Sequence, residues 1–299
     1  MKATGQKSRP VVNGVEISVS GRFPRVAKLY GEYHEYAGGD MESFLAGVRK
    51  NVKADIFTFV QPIEDRVPKY DFPRQPDPVA VLPIETYDKW WKQTINDKTR
   101  NMIRKAGKKG VTIQQVEFND ELVKGIKEVY DESPLRQGKP FKHYKKSFEV
   151  LKEAHASYLD RAVFVGAYFE GKLIGFIKVI IVGKSASIMQ IISMVAHRDK
   201  APTNALLGKI VEICAERGIQ NLQYGIWSRR SMGDFKLHHG FQEVELPRYF
   251  VPLTARGRVA LGLKLHRGLM DVLPGKFVDY FAGLRTKWYL HKYRSQLQS

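Results

Sequence analysis

Apolar and polar positions recur along this chain with two different periods, and the period changes at recognisable boundaries. Residues 15–19 alternate as an edge strand does, and 25–33 reads as a second strand. Asp40 stands where an N-cap belongs, ahead of Met41, Phe44, Leu45 and Val48 at helical spacing. Residues 55–60 are β-branched and aromatic, a strand. Pro62, Pro68, Pro73, Pro76 and Pro78 follow, a density that neither a helix nor a central strand holds. The segment is therefore predicted to be an ordered loop ahead of a short strand, 79–84. Thr86 opens a predicted helix carrying Tyr87, Trp90, Trp91, Ile95, Met102 and Ile103 inward. Along that helix Arg100, Arg104 and Lys108 recur every four residues, and Gly107 and Gly110 end it.

From residue 111 the pattern predicts a longer series. A strand (111–118) leads to a helix capped by Asn119 or Asp120, with Leu122, Ile126 and Val129 inward. A loop (133–140) and a second helix (144–158) come next. Residues 162–169 and 172–182 flank Glu170-Gly171 as a hairpin does. A strand (186–195), a turn (197–203) and a helix (204–217) follow, the helix closed by Gly218. A buried strand (222–227), a short helix (231–239) and a last strand (244–251) complete the series. This alternation makes a mixed α/β sheet with helices on both sides.

Composition narrows the class. The chain has 299 residues, 43% of them apolar, enough for one large core or two small ones. The one cysteine, Cys214, excludes an intrachain disulfide, and its place on the apolar side of a helix makes it a small hydrophobe rather than a nucleophile. The first 13 residues lack the apolar segment of a secretory signal, so a reducing cytoplasm is the expectation. No window approaches the roughly 18 apolar residues of a spanning helix. The net charge of +18 implies attraction to nucleic acid, acidic lipid or phosphorylated substrates. The charge is uneven: residues 98–109 hold six basic groups and no acid, and 254–299 hold nine Lys and Arg against two Asp. There is no CxxC, HExxH or metal-spaced carboxylate cluster, so no metal is expected; the phosphate-loop and GxGxxG patterns are also missing.

One turn carries candidate chemistry by position. Arg198 and Lys200 lie just ahead of Pro202-Thr203-Asn204, where a helix begins. Free N–H groups and the helix dipole at such a terminus take a pyrophosphate or another anion. The alternative is an ordinary strand-to-helix turn with solvated cations.

Three segments carry a family resemblance. The run Arg198-Asp199-Lys200-Ala201-Pro202-Thr203 occupies the place of the acetyltransferase pyrophosphate loop, Arg/Gln-x-x-Gly-x-Gly/Ala, matching its first position and lacking both glycines. The run Asp234-Phe235-Lys236-Leu237-His238-His239-Gly240-Phe241 is similar to the Phe-Lys-x-x-x-Gly-Phe segment of FemAB-type transferases. The basic stretch from Lys98 to Gly110 looks like the helix joining the two acetyltransferase-like halves of those proteins. Over roughly residues 80–250 the chain thus resembles the FemAB-like and Gcn5-related N-acetyltransferase (GNAT) superfamily. It departs from the pattern in its short N-terminal half and in lacking a coiled-coil arm for transfer RNA.

The resemblance implies a GNAT-like acyl-CoA N-acyltransferase fold. A partial N-terminal GNAT-like subdomain would fill 1–84 and a basic linking helix 85–110. The acyltransferase domain would be 111–253, and a basic amphipathic helical tail 254–299. The implied reaction moves an acyl or aminoacyl group from acyl-CoA or aminoacyl-tRNA to an amine or hydroxyl of a cell-envelope or polysaccharide precursor. Direct attack needs aligned substrates, a proton acceptor and oxyanion donors, with no covalent enzyme intermediate. Lys236 is the implied cation for developing charge, His238 or His239 the proton carrier, Asp234 its orienting group or a helix cap, and Tyr224 a general acid. Arg198, Lys200, Thr203 and Asn204 would hold the donor, though the missing glycines argue against tight coenzyme A binding. Arg136 and Lys139, with His143 and Tyr144, suit an anionic acceptor such as a nucleotide sugar or lipid-linked precursor.

Each residue also has a plainer reading: a surface lysine, a packing histidine, a core tyrosine, a solvated loop. In the tail Phe277, Phe281, Leu284 and Trp288 share one helical face amid basic residues. That face suits the inner surface of an anionic membrane, docking on the domain, or nucleic acid. The competing function is a non-catalytic RNA-binding protein. Arg100, Arg104, Lys108 and the tail would form its groove, and Tyr280, Trp288 and Tyr293 would stack on bases.

Overall fold

The computed structural model describes residues 9–33, 40–136, 138–227 and 231–266, and near the end of the chain 288, 289, 292 and 293. In chain order β1 is Val11–Val12, β2 Val15–Ser20, β3 Val26–Leu29, α1 Met41–Asn51, β4 Ile56–Val60 and β5 Arg74–Pro83. A short α2 (Tyr87–Lys89) runs into a wider π turn, Trp90–Thr94, and α3 is Asp97–Lys108. Next come β6 Thr112–Val116, α4 Asp120–Asp131, the two-residue strands β7 Leu135–Arg136 and β8 Lys139–Pro140, and α5 Phe148–His155. The series ends with β9 Ala162–Phe169, β10 Lys172–Val182, β11 Ser185–Ser193, α6 Pro202–Glu216, β12 Asn221–Ile226, α7 Ser231–His238, β13 Gln242–Pro252 and α8 Ala255–Gly262. Most of the tail helix expected within 254–299, with Phe277, Phe281 and Leu284, lies outside the described residues.

The chain divides into two compact units, residues 1–79 with 244–273 and residues 80–243 with 274–299. In the first, strands lie in the order β1-β2-β3-β4-β13. β2 and β3 are antiparallel; α1 then carries the chain over, and β4 returns parallel to β3. The Asp40 carboxylate caps α1, accepting from the N–H groups of Glu42 and Ser43 at 3.0 Å each. Phe44, Leu45 and Val48 fall on the helix face that packs against Phe57 and Tyr249. Arg248 is nearly enclosed in this unit and donates to Glu32 (2.8 Å) and Asp77 (2.9 Å), with Lys28 on Glu32 and the Tyr33 hydroxyl on Asp77.

In the second unit the order is β12-β11-β10-β9-β6. Glu170 and Gly171 both take positive φ (51° and 78°), the mirror-image turn that matches the twist of the β9–β10 hairpin. Leu206, Leu207, Ile210 and Val211 of α6 pack on Val165, Ile177 and Val179 of the sheet. Trp90 is buried and donates its indole N–H to the His239 carbonyl at 2.9 Å.

β3 is shorter than the strand expected over 25–33, the expected loop 133–140 holds β7 and β8, and three further differences have a local physical reason. β5 runs through Pro76 and Pro78. Prolines two residues apart direct their missing N–H groups to one side of a strand, so the other edge keeps its donors. The predicted helix from Thr86 is broken at Ile95, which is extended (φ −97°, ψ 146°). Asn96 then caps α3 by accepting from Thr99 N–H at 2.9 Å, and Arg100 turns back to donate to the Trp91 and Ile95 carbonyls at 2.7 and 2.5 Å. α5 starts four residues late because Ser147 is its cap and Lys145 takes a positive φ of 54°.

Candidate active site

β11 and β12 run parallel but stay joined for only three residue pairs: Ser185 with Asn221, Ala186 with Leu222 and Ser187 with Gln223. Just beyond, β11 carries a bulge. Lys178 of β10 opposes Gln190 while Val179 opposes Ile188, so Met189 is the extra residue. A bulge bends its strand and strengthens the local twist. From Gln190 to Ser193 the strand is half-buried, and among the described residues no strand occupies the side that β12 leaves. Gln223, the last paired residue of β12, is buried and its Nε2 has no partner.

The helix α6 begins beside this parting. The Ser193 and Thr203 hydroxyls share a hydrogen bond of 2.8 Å, which joins the end of β11 to the first turn of α6. Ala201, in the place of the loop's first glycine, takes φ +54° and ψ 41°. Ala201 thus holds a left-handed conformation without being glycine, at a cost of roughly 1–2 kcal/mol for an L-residue with Cβ. No side chain caps α6, and Pro202 stands in its first turn, where a missing N–H is tolerated. The positive end of the dipole of this 15-residue helix thus lies next to the end of β11. Arg198 is exposed beside it. Lys200 lies against the Phe169 ring, 4.6 Å from its centre, and 3.4 Å from Asp199. Asn204 is half-buried, its N–H donating to Ala201 O at 3.2 Å.

Arg136 faces inward at the same place. It donates to Ser193 O (2.6 Å), Val129 O (2.8 Å) and Glu132 (3.0 Å). The Glu132 carboxylate in turn accepts from the N–H groups of Val195 (2.8 Å) and Ala196 (2.7 Å). Burial depresses the Arg136 pKa, and nearby Arg198 adds to that while Glu132 opposes it. Lys139 is exposed on β8. His143 stacks on Tyr130 with ring centres 5.0 Å apart, and burial, then Lys142 and Lys146, lowers its pKa to about 4. Tyr144 is half-buried beside the Lys145 ammonium.

A second group gathers at α7. Lys236 is buried, donates to Ile226 O at 2.7 Å and lies 4.6 Å from the centre of the Tyr224 ring. Desolvation lowers its pKa to about 8. Burial raises the Tyr224 hydroxyl to about 12, so it stays protonated at neutral pH. His239 is buried, and its Nδ1 lies 2.7 Å from Phe235 O while Nε2 has no partner. Nδ1 therefore carries the proton, and burial holds the ring neutral with a pKa near 4. A cavity of about 420 Å³ in this unit is lined by Thr112, Gln114, Tyr168, Asn119 and Glu121, at the β6 edge; none of the candidate residues lines it.

The structure thus places Arg198, Lys200, Thr203, Asn204 and Arg136 around the entrance to α6, and Lys236, His239 and Tyr224 together at α7. Lys139, His143 and Tyr144 follow β7 and line neither group. Sequence reasoning missed Glu132, Ser193 and Gln223. The first had a legible signal, the Glu132-x-x-x-Arg136 spacing of a helical ion pair; the other two are defined only by the strand parting. Among the described residues no group of His, Cys, Asp and Glu suits a metal, and no helix is long and apolar enough to cross a membrane.

A scan against models of protein families and a search of curated proteins both find no match. Solved structures do match. FemX is 11% identical, over 87% of this chain and 88% of that one, with a TM-score of 0.57. The C-terminal domain of a protein described as a lysylphosphatidylglycerol synthetase from Agrobacterium fabrum is 16% identical, over 85% and 87%, with a TM-score of 0.54. An L-PGS from Bacillus licheniformis is 15% identical over 80% of each chain, with a TM-score of 0.50. The fold is the GNAT-like fold that these solved structures share. At such identities the likeness establishes fold, and chemistry has to come from the site.

Proposed function

We propose that this chain is an acyltransferase that passes an activated aminoacyl or acyl group to an amine or hydroxyl of a cell-envelope precursor. The observation that carries the reading is the parting of β11 from β12 beside an uncapped α6. Backbone groups of β11 beyond Gln190 lack a neighbouring strand there, and in the first turn of α6 Pro202 has no N–H while those of Asn204 and Ala205 return to Ala201 O, which leaves the Thr203 N–H and the helix dipole for the anionic end of an extended donor. The acceptor class draws support from the solved structures of FemX and of lysylphosphatidylglycerol synthetase domains.

Aminoacyl-tRNA fits as donor better than acyl-CoA. Pro202 offers no N–H, Ala201 puts a methyl in the glycine place, and the Thr203 hydroxyl already meets Ser193. Room for a pyrophosphate is reduced, whereas Lys98, Arg104, Lys108 and Lys109 are exposed along one stretch and suit a phosphate backbone. Such a donor places the reaction in the cytoplasm; the basic tail would then bring the enzyme to the inner membrane face. In the reaction the acceptor nitrogen or oxygen attacks the ester carbonyl, main-chain N–H groups stabilise the oxyanion, the Tyr224 hydroxyl donates a proton to the leaving 3′-oxygen as the carbonyl carbon–oxygen bond breaks, and the proton that the nucleophile gives up restores the hydroxyl. Lys236, over the Tyr224 ring, supports the charge that develops.

Purified protein with charged transfer RNA and lipid-linked or nucleotide-sugar precursor should label the precursor. Replacing Arg198 and Lys200 together by Ala should cut the rate by about tenfold or more, since each charge-assisted contact contributes on the order of 1–3 kcal/mol. A second reading is favoured by Lys236 Nζ and His239 Nδ1, which meet main-chain carbonyls: a non-catalytic RNA-binding protein. It predicts RNA affinity falling log-linearly with salt and no product at any salt concentration.

A further inference from the structure

One ion pair ties three elements together where β11 ends. Glu132 follows α4, and both its carboxylate oxygens accept from successive main-chain N–H groups, Val195 and Ala196. Arg136 bridges from the last turn of α4 to Ser193 O, through Val129 O on one side and its own bond to Glu132 on the other. Ser193 is the last residue of β11, and its hydroxyl meets Thr203 in the first turn of α6. The chain of contacts therefore runs from α4 to the end of β11 and on to the N-terminus of α6. Its two charged side chains are only 15% and 18% exposed, where hydrogen bonds to charged groups are strong and their loss is costly.

We infer that Glu132 and Arg136 are the positioning pair of this site: they hold the turn between Ser193 and Ala201 in the shape that keeps the α6 N-terminus open. The inference rests on reading that opening as the donor site. It moves Arg136 from acceptor binding to positioning, because its guanidinium nitrogens Nη1 and Nη2 already meet protein oxygens. Its geometry also requires arginine, since a fork spanning Ser193 O and Val129 O has no counterpart in a lysine ammonium. The pair makes a prediction opposite in sign to simple electrostatics. Glu132 is a negative charge beside a turn meant for an anion, so removing a mere neighbour would tighten anion binding. Removing a clamp loosens the turn and weakens it.

The test uses the full chain carrying Glu132→Gln, Glu132→Ala or Arg136→Lys, with Lys124→Ala on the exposed side of α4 as control. Amide hydrogen exchange is followed across 193–204, inorganic pyrophosphate binding by calorimetry, and donor KM and kcat with charged transfer RNA and with acyl-CoA in separate arms. The expected result is exchange at Val195 and Ala196 faster by about tenfold, the equivalent of one lost charge-assisted bond. Pyrophosphate binding should weaken and donor KM rise by a similar factor with kcat changed less than about threefold, the mark of lost binding rather than lost chemistry. Glu132→Gln should recover part of the effect, since its amide oxygen still accepts from one N–H. If Glu132→Ala does not fold, the Gln and Lys variants carry the test. Unchanged exchange, or pyrophosphate bound as well or better by the Glu132 variants, overturns the inference. Faster exchange in protein that yields no product with either donor sinks the transferase reading and leaves the clamp standing.

Discussion

The same motif occurs once in each unit, closed in one and open in the other. In the first unit two antiparallel strands, β2 and β3, are followed by α1 and by β4 parallel to β3; in the second, β10 and β11 are followed by α6 and by β12 parallel to β11. β3 pairs with β4 over Val26, Ala27 and Lys28, three of its four residues, whereas β11 pairs with β12 over three of nine. The helix of the closed copy carries its own anion: Asp40 accepts from two first-turn N–H groups, and Glu42 adds a second negative charge. The helix of the open copy has no cap, a left-handed alanine in the cap position, and basic residues ahead of it. A terminus already answered by a carboxylate repels a second anion, whereas one preceded by Arg198 and Lys200 attracts it. Polar chemistry is therefore internal in the first unit and available in the second.

The contrast can be broken in four ways. The largest effect should come from Arg248→Met, which strands Glu32 and Asp77 in the first unit. Removing one partner of an enclosed ion cluster costs about 3–5 kcal/mol, read as a lower denaturation midpoint. A midpoint close to wild type would mean the cluster is solvated. Ala201→Asp comes next, giving α6 a carboxylate in imitation of Asp40. Measured on protein shown to be folded, since Ala201 is buried, donor KM should rise by about 10- to 100-fold, because the new charge repels an anion at the helix terminus. Unchanged KM would place the donor elsewhere.

Acid should separate the units. His143, His155 and His239, all in the second unit, are held by burial with pKa values near 4, below the ordinary 6.5. Between those values the unfolded chain binds more protons, so stability falls as pH drops from 6.5 toward 4, by about 1 kcal/mol or more. Burial acts to raise the Glu32 pKa, but its bonds to Arg248 and Lys28 outweigh this and depress it, so its contribution is lost only at lower pH. Hydrogen exchange at pH 5 should thus quicken in the second unit first; equal change in both would refute the assignment. The smallest effect is Asp40→Ala, a loss of about 1 kcal/mol from the cap of α1, with donor kinetics untouched.

How much of this was legible beforehand varies by residue. The hairpin of β9 and β10 was placed to the residue, because Glu170-Gly171 is a local turn signal between two β-rich runs. The cap Asp40 was legible for the same reason, since capping depends on neighbours within a few residues, and the second cap was narrowed to Asn119 or Asp120, of which the structure uses Asn119. The strand through Pro76 and Pro78 was not, because proline at high density disfavours a strand in general and only a spacing of two leaves one edge with its donors. The break at Ile95 was missed because the apolar positions kept helical spacing across it, while Asn96 offered the backbone a better local bond. The motif Phe-Lys-x-x-x-Gly-Phe was visible; that Lys236 and His239 bond to carbonyls was not.

By itself the sequence determined the order of strands and helices, the basic stretches and the fold they imply, because periodicity, caps and turns are properties of adjacent residues. The parting of the strand before α6 from its neighbour was implied by the family resemblance; only the tertiary structure decided where β11 and β12 separate, that Met189 bulges, and that Arg136 and Glu132 meet the end of β11 instead of a ligand. Those outcomes depend on which main-chain groups are left without partners once distant segments pair, and no local pattern records that.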